Sequence, residues 1–435
     1  MGARSSLFGG NPQANAARHE LVSQPPASSA SSVVSTQRPK PLAGLRVLDL
    51  TRLLPGPLAT MHLADLGADV VKIEDTGAGD YTRVMGFRRR MPDGSRADTD
   101  FFLIINRNKR ALRLDLKQHA GRDVFLRLAK EADVVIEGFR PGVMTKLGVG
   151  YEALAAANPR LVYCAISGYG QDGPLADMAG HDINYVGYTG VGDQMGRAGE
   201  PPTVPNFQIG DLLGGTMAAV MGVLAAVIDA RATGQGRFVD VSMTDAVLAH
   251  AILPLVEYLG AGRTPPRGTT MLSGGLPCYN VYETADGRWM AVGALEEKFW
   301  QTLCDALDVP ELKAQHLVYG ETAASVKQKL AAIFKSQSQS HWTSVFAKAD
   351  CCVTPLLTME EVLAHPLFAA RGMVARTPHP AGGDLPQFGP PVSFSGFEFA
   401  IERSAPRPGE HSEEVLVAAG YTGAEIAQLR RDGVI

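Results

Sequence analysis

Short apolar runs and longer mixed stretches alternate along this chain from residue 42 onward. Leu45-Arg46-Val47-Leu48-Asp49-Leu50 has the composition of a strand, and Leu54-Pro55-Gly56-Pro57 turns the chain. Residues 58–66 read as a helix ending near Gly67, and Asp69-Val70-Val71-Lys72-Ile73-Glu74 as the next strand. Strand, helix and strand in about thirty residues predict a βαβ unit with a parallel crossover. The pattern continues with strands over 111–117, 133–137, 161–167 and 237–242, and helices over 118–131, 212–228 and 245–258. Residues 76–100, rich in glycine and arginine, read as a loop.

Residues 260–275 are rich in Gly, Arg, Pro and Thr, which predicts a crossing between two bodies. Beyond it, strands over 279–283 and 289–293 mix with helices over 298–307, 324–335 and 341–349. From about Gly372 the chain reads as irregular until a helical stretch over 412–431. The fold class is therefore α/β: a Rossmann-like large domain over 41–260, a smaller α+β domain over 261–371, and a C-terminal part over 372–435. The phosphate fingerprint Gly-x-Gly-x-x-Gly is missing after the first strand, which argues against a nicotinamide or flavin cofactor.

Composition narrows the function classes. The chain is 45% hydrophobic and 20% charged with a net charge of −4, so no basic surplus points to nucleic acid. Residues 1–40 are rich in Ser, Ala, Gln and Pro without the apolar core of a secretory signal, and read as a disordered extension. The run 212–228 approaches the length of a membrane span. It is bracketed by Asp211 and Asp229 and has no second span beside it, so it reads as a buried helix and no membrane partner is expected. Cys164, Cys278, Cys304, Cys351 and Cys352 are scattered, which predicts reduced thiols, a cytoplasmic setting and no metal site.

Candidate chemistry concentrates between Gly180 and Gly215. Gly180-His181-Asp182-Ile183-Asn184-Tyr185 opens this stretch and Gly210-Asp211-Leu212-Leu213-Gly214-Gly215 closes it. A histidine and a carboxylate on glycine-flanked turns suit acid/base work, because glycine lets the backbone approach a ligand. Spacing alone favours a structural reading, with Asp211 as N-cap of the 212–228 helix and Asp182 capping a short turn.

The Gly180–Tyr185 segment resembles the signature of α-methylacyl-CoA racemases, within the family III CoA-transferase (CaiB/BaiF) superfamily. The likeness continues through Gly210-Asp211, Ser273-Gly274-Gly275-Leu276-Pro277, Ala291-Val292-Gly293-Ala294-Leu295-Glu296 and Asp350-Cys351-Cys352-Val353-Thr354-Pro355. It covers roughly residues 42–435. The resemblance implies an acyl-CoA thioester as substrate, no permanently bound cofactor, and an interlocked homodimer whose C-terminal part returns to the large domain. It implies that His181 and Asp211 exchange the α-proton of a 2-methylacyl-CoA and that the Asp182 backbone N–H binds the thioester oxygen. Glu296 would support the histidine, with the adjacent Glu297 an alternative by one position.

For CoA itself, the resemblance points to Leu114, Asp115, Leu116 and Lys117 at the adenine end. It adds Phe139, Arg140, Lys146, Gly180 and Tyr185. Asp75 stands where many of these racemases carry an arginine, so a phosphate contact is expected from Lys72 or an arginine of the 83–90 segment. Met271, Leu272, Leu276 and Tyr279 are candidates for the acyl wall. The alternative is a CoA-transferase with Asp211 as nucleophile; Glu297-Lys298-Phe299-Trp300 and Gly77-Ala78-Gly79-Asp80 resemble that branch more closely.

Overall fold

The computed structural model describes residues 38–435. The extension expected over residues 1–40 therefore lies, up to residue 37, outside the described residues. Residues 39–435 cluster as one compact unit.

Six strands form the main sheet: β1 (Arg46–Asp49), β2 (Asp69–Glu74), β3 (Arg110–Arg113), β4 (Val134–Glu137), β5 (Val162–Ser167) and β6 (Phe238–Ser242). All pairs are parallel, in the order β3-β2-β1-β4-β5-β6. The central strands β4 and β5 are buried along their whole length, as strands covered on both faces must be. The order reverses between β1 and β4, so a crevice opens beyond their C-terminal ends.

Ten helices follow the strands in sequence: α1 (Pro55–Asp65), α2 (Asp100–Ile105), α3 (His119–Lys130), α4 (Val143–Lys146), α5 (Tyr151–Ala157), α6 (Asp182–Gly187), α7 (Val191–Gln194), α8 (Ala218–Thr233), α9 (Met243–Ala249) and α10 (Ile252–Ala261). One sheet face packs Val71, Leu112 and Val135 on Val124 and Phe125 of α3. The same core takes Val415, Leu416 and Ile426 from near the C-terminus. The other face packs Val47, Ile136 and Cys164 against Leu63 of α1 and Ala219 and Val223 of α8.

A separate three-stranded sheet is formed by the antiparallel strands β7 (Tyr279–Glu283), β8 (Trp289–Gly293) and β9 (Val353–Pro355). The helices α11 (Glu297–Ala306), α12 (Gly320–Phe334) and α13 (Gln339–Phe346) close over a core holding Trp300, Phe334 and Trp342. Next come α14 (Met359–Ala364), α15 (Pro366–Ala370) and a hairpin of β10 (Val374–Pro378) and β11 (Asp384–Phe388). The chain ends in α16 (Ser412–Ala418) and α17 (Gly423–Arg431).

Several expectations change. The Leu54-Pro55-Gly56-Pro57 turn is the start of α1, with proline in its first turn, where a missing N–H costs nothing. The strand expected over 111–117 ends at Arg113. The irregular tail contains the β10–β11 hairpin, and the single helix expected over 412–431 breaks at Gly420, whose φ is +81°. The apolar run 212–228 lies in a longer helix, Gly210–Thr233, long and apolar enough to span a membrane. One stripe of it, Ala219, Val223, Ala226 and Ala230, packs in the core.

Candidate active site

A cleft of about 560 Å³ lies at the reversal of strand order. Its walls come from the turns after β1, β4 and β5, together with His181, Tyr185, Asp211 and Met243. Its floor is the Thr51–Gly56 turn. Leu53 adopts φ +66°, uncommon for a residue with a side chain, so the surrounding structure must hold it there.

A buried ion network does so. Asp49 accepts the Thr51 N–H at 2.9 Å, its hydroxyl at 2.5 Å and the Thr60 hydroxyl at 2.6 Å. Lys72 donates to the Thr51 carbonyl at 2.9 Å and pairs with Asp80 at 2.9 Å. Asp80 in turn accepts the Leu53 N–H at 3.2 Å. Lys109 donates to Asp49 at 3.1 Å and to the Pro57 carbonyl at 2.8 Å; burial pushes its ammonium down to about 8. This corrects the phosphate assignment for Lys72 and for Arg83 of the 83–90 segment. Lys72 is fully buried and Arg83 nearly so, the latter forked onto Glu74 at 2.8 and 2.6 Å, so neither faces a ligand.

Two other arginines face the cleft. Arg52 pairs with Asp75 at 2.5 Å, and its guanidinium lies 5.4 Å from the Tyr81 ring centre and 5.3 Å from that of Phe139. Asp75 also accepts the Gly77 and Gly79 N–H groups, so it builds its turn as well as anchoring Arg52. Arg140 is exposed and also lines the cleft. The Phe139 turn is set by Glu137, which accepts the Phe139 N–H at 2.6 Å; burial pushes this carboxyl up to about 7. Arg52 escaped the sequence reading. The available signal was its place three residues beyond the end of the first parallel strand.

His181 is the N-cap residue of α6, and its N–H donates to Asn184 Oδ1 at 3.0 Å. Gly180 has no alternative here: a Cβ would sit 2.6 Å from the Tyr185 ring, whose hydroxyl donates to the Gly180 carbonyl. Asp211 is not an N-cap. It lies in the first turn of a π-helix, Gly210–Met217, that continues into α8. Such turns are rare and concentrate at functional sites. Gly214 and Gly215 seat this turn against its neighbours, since a Cβ would meet the Met243 carbonyl at 2.5 Å and Pro55 Cβ at 2.5 Å respectively. Burial, then the Asp182 charge, pushes the Asp211 carboxyl up to about 6. Asp182 links the two loops by accepting the Asp211 N–H at 3.0 Å.

The cleft brings together His181, Asp211, Phe139, Arg140, Gly180 and Tyr185. It does not include the remaining candidates. Leu114 and Leu116 bury their side chains in the sheet core, Asp115 caps its own turn by accepting the Lys117 N–H at 3.0 Å, and Lys117 and Lys146 are exposed. Leu276 is fully buried in the second core rather than on an acyl wall. Glu296 is the exposed N-cap of α11, with Glu297 next to it in the first turn, and neither lines the cleft.

Comparison with known proteins places this arrangement. The model of CoA-transferase family III matches residues 42–412. The chain is 36% identical over 395 residues to human α-methylacyl-CoA racemase, covering 91% of this chain and 97% of that one. It is 32% identical over 403 residues to human succinyl-CoA:glutarate CoA-transferase, covering 91% and 90%. A CaiB/BaiF family protein from Brucella suis superposes with TM-score 0.76 at 29% identity, covering 88% of this chain and all of that one. The family model matched over most of the chain, together with relatives matched along nearly their whole length, establishes that the chain belongs to CoA-transferase family III.

Proposed function

We propose that this protein racemises 2-methyl-branched acyl-CoA thioesters by two-base transfer of the α-proton through an enolate. The observation that carries this reading is the meeting of His181 and Asp211 in one cleft, with the Asp211 carboxyl raised to about 6. An imidazole and a carboxyl that holds its proton more tightly than usual can exchange roles as acid and base. One removes the α-hydrogen while the other delivers a proton to the opposite face. The first-turn N–H of Asp182, left unpaired by helix geometry, would stabilise the enolate oxygen. Arg52 and Arg140 supply cations for the CoA phosphates, with the segment 114–117 and Lys146 toward the adenine end.

The second reading is CoA transfer with Asp211 as nucleophile, favoured by the transferase relative at 32% identity. The pH dependence separates the two. Asp211 holds its proton up to about pH 6, so a nucleophilic carboxylate gains activity as pH rises through 6 and then stays on a plateau. A proton-transfer pair needs one member protonated and the other free, so kcat/KM is bell-shaped and falls on both sides of its optimum. We expect the bell. A single rising limb to a plateau at pH 9, seen only with a free acid present, would contradict it.

The reading includes an interlocked homodimer; Glu296 or the adjacent Glu297, neither of which lines the cleft within one chain, would then support His181 from a second copy. Its support is α10, which buries none of its residues within the chain and exposes Leu255, Val256 and Leu259 by 53%, 55% and 68%. An apolar surface of this kind marks an interaction site. Sedimentation is expected to give the mass of two chains. A one-chain mass at micromolar concentration would remove the second copy from the mechanism.

A further inference from the structure

We propose that the Asp182 side chain is a positioning residue that orients Asp211 and sets the pH range over which Asp211 carries its proton. This rests on the proton-transfer reading above, and it assigns the carboxylate a task separate from that of the Asp182 backbone N–H.

The geometry is specific. Asp182 Oδ1 accepts the Asp211 N–H at 3.0 Å, across 29 residues of sequence and between two different helices. Gly210 makes room for this approach: a Cβ there would lie 2.9 Å from Asp182 Oδ1. The bond therefore pins the first turn of the π-helix, and with it the direction of the Asp211 side chain, to the N-terminal turn of α6. Asp182 stands in that first turn, where the helix end favours negative charge.

Two carboxylates thus share one corner, held apart in character by their settings. Tyr185, His181, Arg52 and Arg140 are the other titratable or charged groups lining the cleft with Asp211. Only Asp182 is tied to it by a hydrogen bond. Burial and the Asp182 charge act in the same direction on Asp211, both favouring its neutral form. A general acid requires this, and a carboxylate nucleophile does not.

The test compares Asp182→Asn and Asp182→Ala in the full-length enzyme, using kcat/KM profiles with one enantiomer of a 2-methylacyl-CoA. Asparagine keeps an acceptor for the Asp211 N–H but removes the charge. With the enantiomer for which Asp211 is the base, the acid limb reports loss of the Asp211 proton and should move down by about half a pH unit. Alanine removes both, so its acid limb moves as far and its plateau kcat falls several-fold below that of the asparagine variant, with KM little changed. An unmoved acid limb in both variants, while Asp211→Asn abolishes turnover, would overturn the proposal and leave the proton-transfer reading standing. Full turnover in Asp211→Asn would remove that reading itself. Carbon-13 titration of the aspartate carboxyls gives a readout independent of turnover. The Asp211 resonance should titrate at lower pH in Asp182→Asn than in the parent, and an unshifted titration would also overturn the proposal.

Discussion

Asp211→Asn is expected to lower racemisation by about 10²–10⁴-fold, the range typical of losing a positioned acid or base. Asparagine neither accepts nor delivers a proton, yet its backbone N–H still meets Asp182 and its turn still packs on Met243 and Pro55. His181 remains able to exchange the α-hydrogen on its own face. In heavy water the variant should therefore exchange one enantiomer without inverting it. His181→Ala should show the mirror result, with exchange confined to the other enantiomer through Asp211. Equal residual exchange of both enantiomers in either variant would mean that a single base serves both faces. A fall of less than tenfold would assign Asp211 a structural role in its turn.

The second large effect concerns stability. Arg107 is 1% exposed and forked onto Asp65 at 3.1 and 2.7 Å, with Gln387 of β11 accepting a further bond at 3.2 Å. Asn108 donates to the same Asp65 at 2.8 Å. Asp65 ends α1, the helix whose first turn forms the cleft floor. Arg107→Met leaves that carboxylate buried without its cation, at an expected cost of about 3–5 kcal/mol. Adding Asp65→Leu should return much of the loss, because the uncompensated charge is then gone. Urea unfolding of the two variants checks this. A loss below about 1 kcal/mol for Arg107→Met would show that water or another group solvates Asp65.

The parallel sheet was legible because buried strands read as short Val/Ile/Leu runs separated by helical segments. β2 was found with its observed bounds, and β4 and β5 within a residue of theirs. Less legible were features decided by distant partners. Lys72 and Arg83 look like ligand-facing cations in the sequence, and only tertiary pairing with Asp80 and Glu74 turns them inward. Asp75 looked unfavourable for a phosphate, yet it anchors Arg52, which the sequence reading passed over. The π-helix was hidden for a related reason. Its seat depends on close approach of Gly214 and Gly215 to α9 and α1, and a glycine pair alone does not reveal what it packs against. His181 and Asp211 stood out by their chemistry on glycine-flanked turns and Arg140 as a cation beside a strand end, whereas Phe139, Gly180 and Tyr185 came from family resemblance; the fold gathers them in one place.

The most direct test of the central claim is α-proton exchange by the unmodified protein. One enantiomer of a 2-methylacyl-CoA is incubated in heavy water without any free carboxylic acid, and α-deuterium and optical purity are followed together. Proton transfer between His181 and Asp211 predicts deuterium uptake that accompanies loss of optical purity. No uptake, with CoA transfer appearing once a free acid is added, would contradict it and make Asp211 a nucleophile.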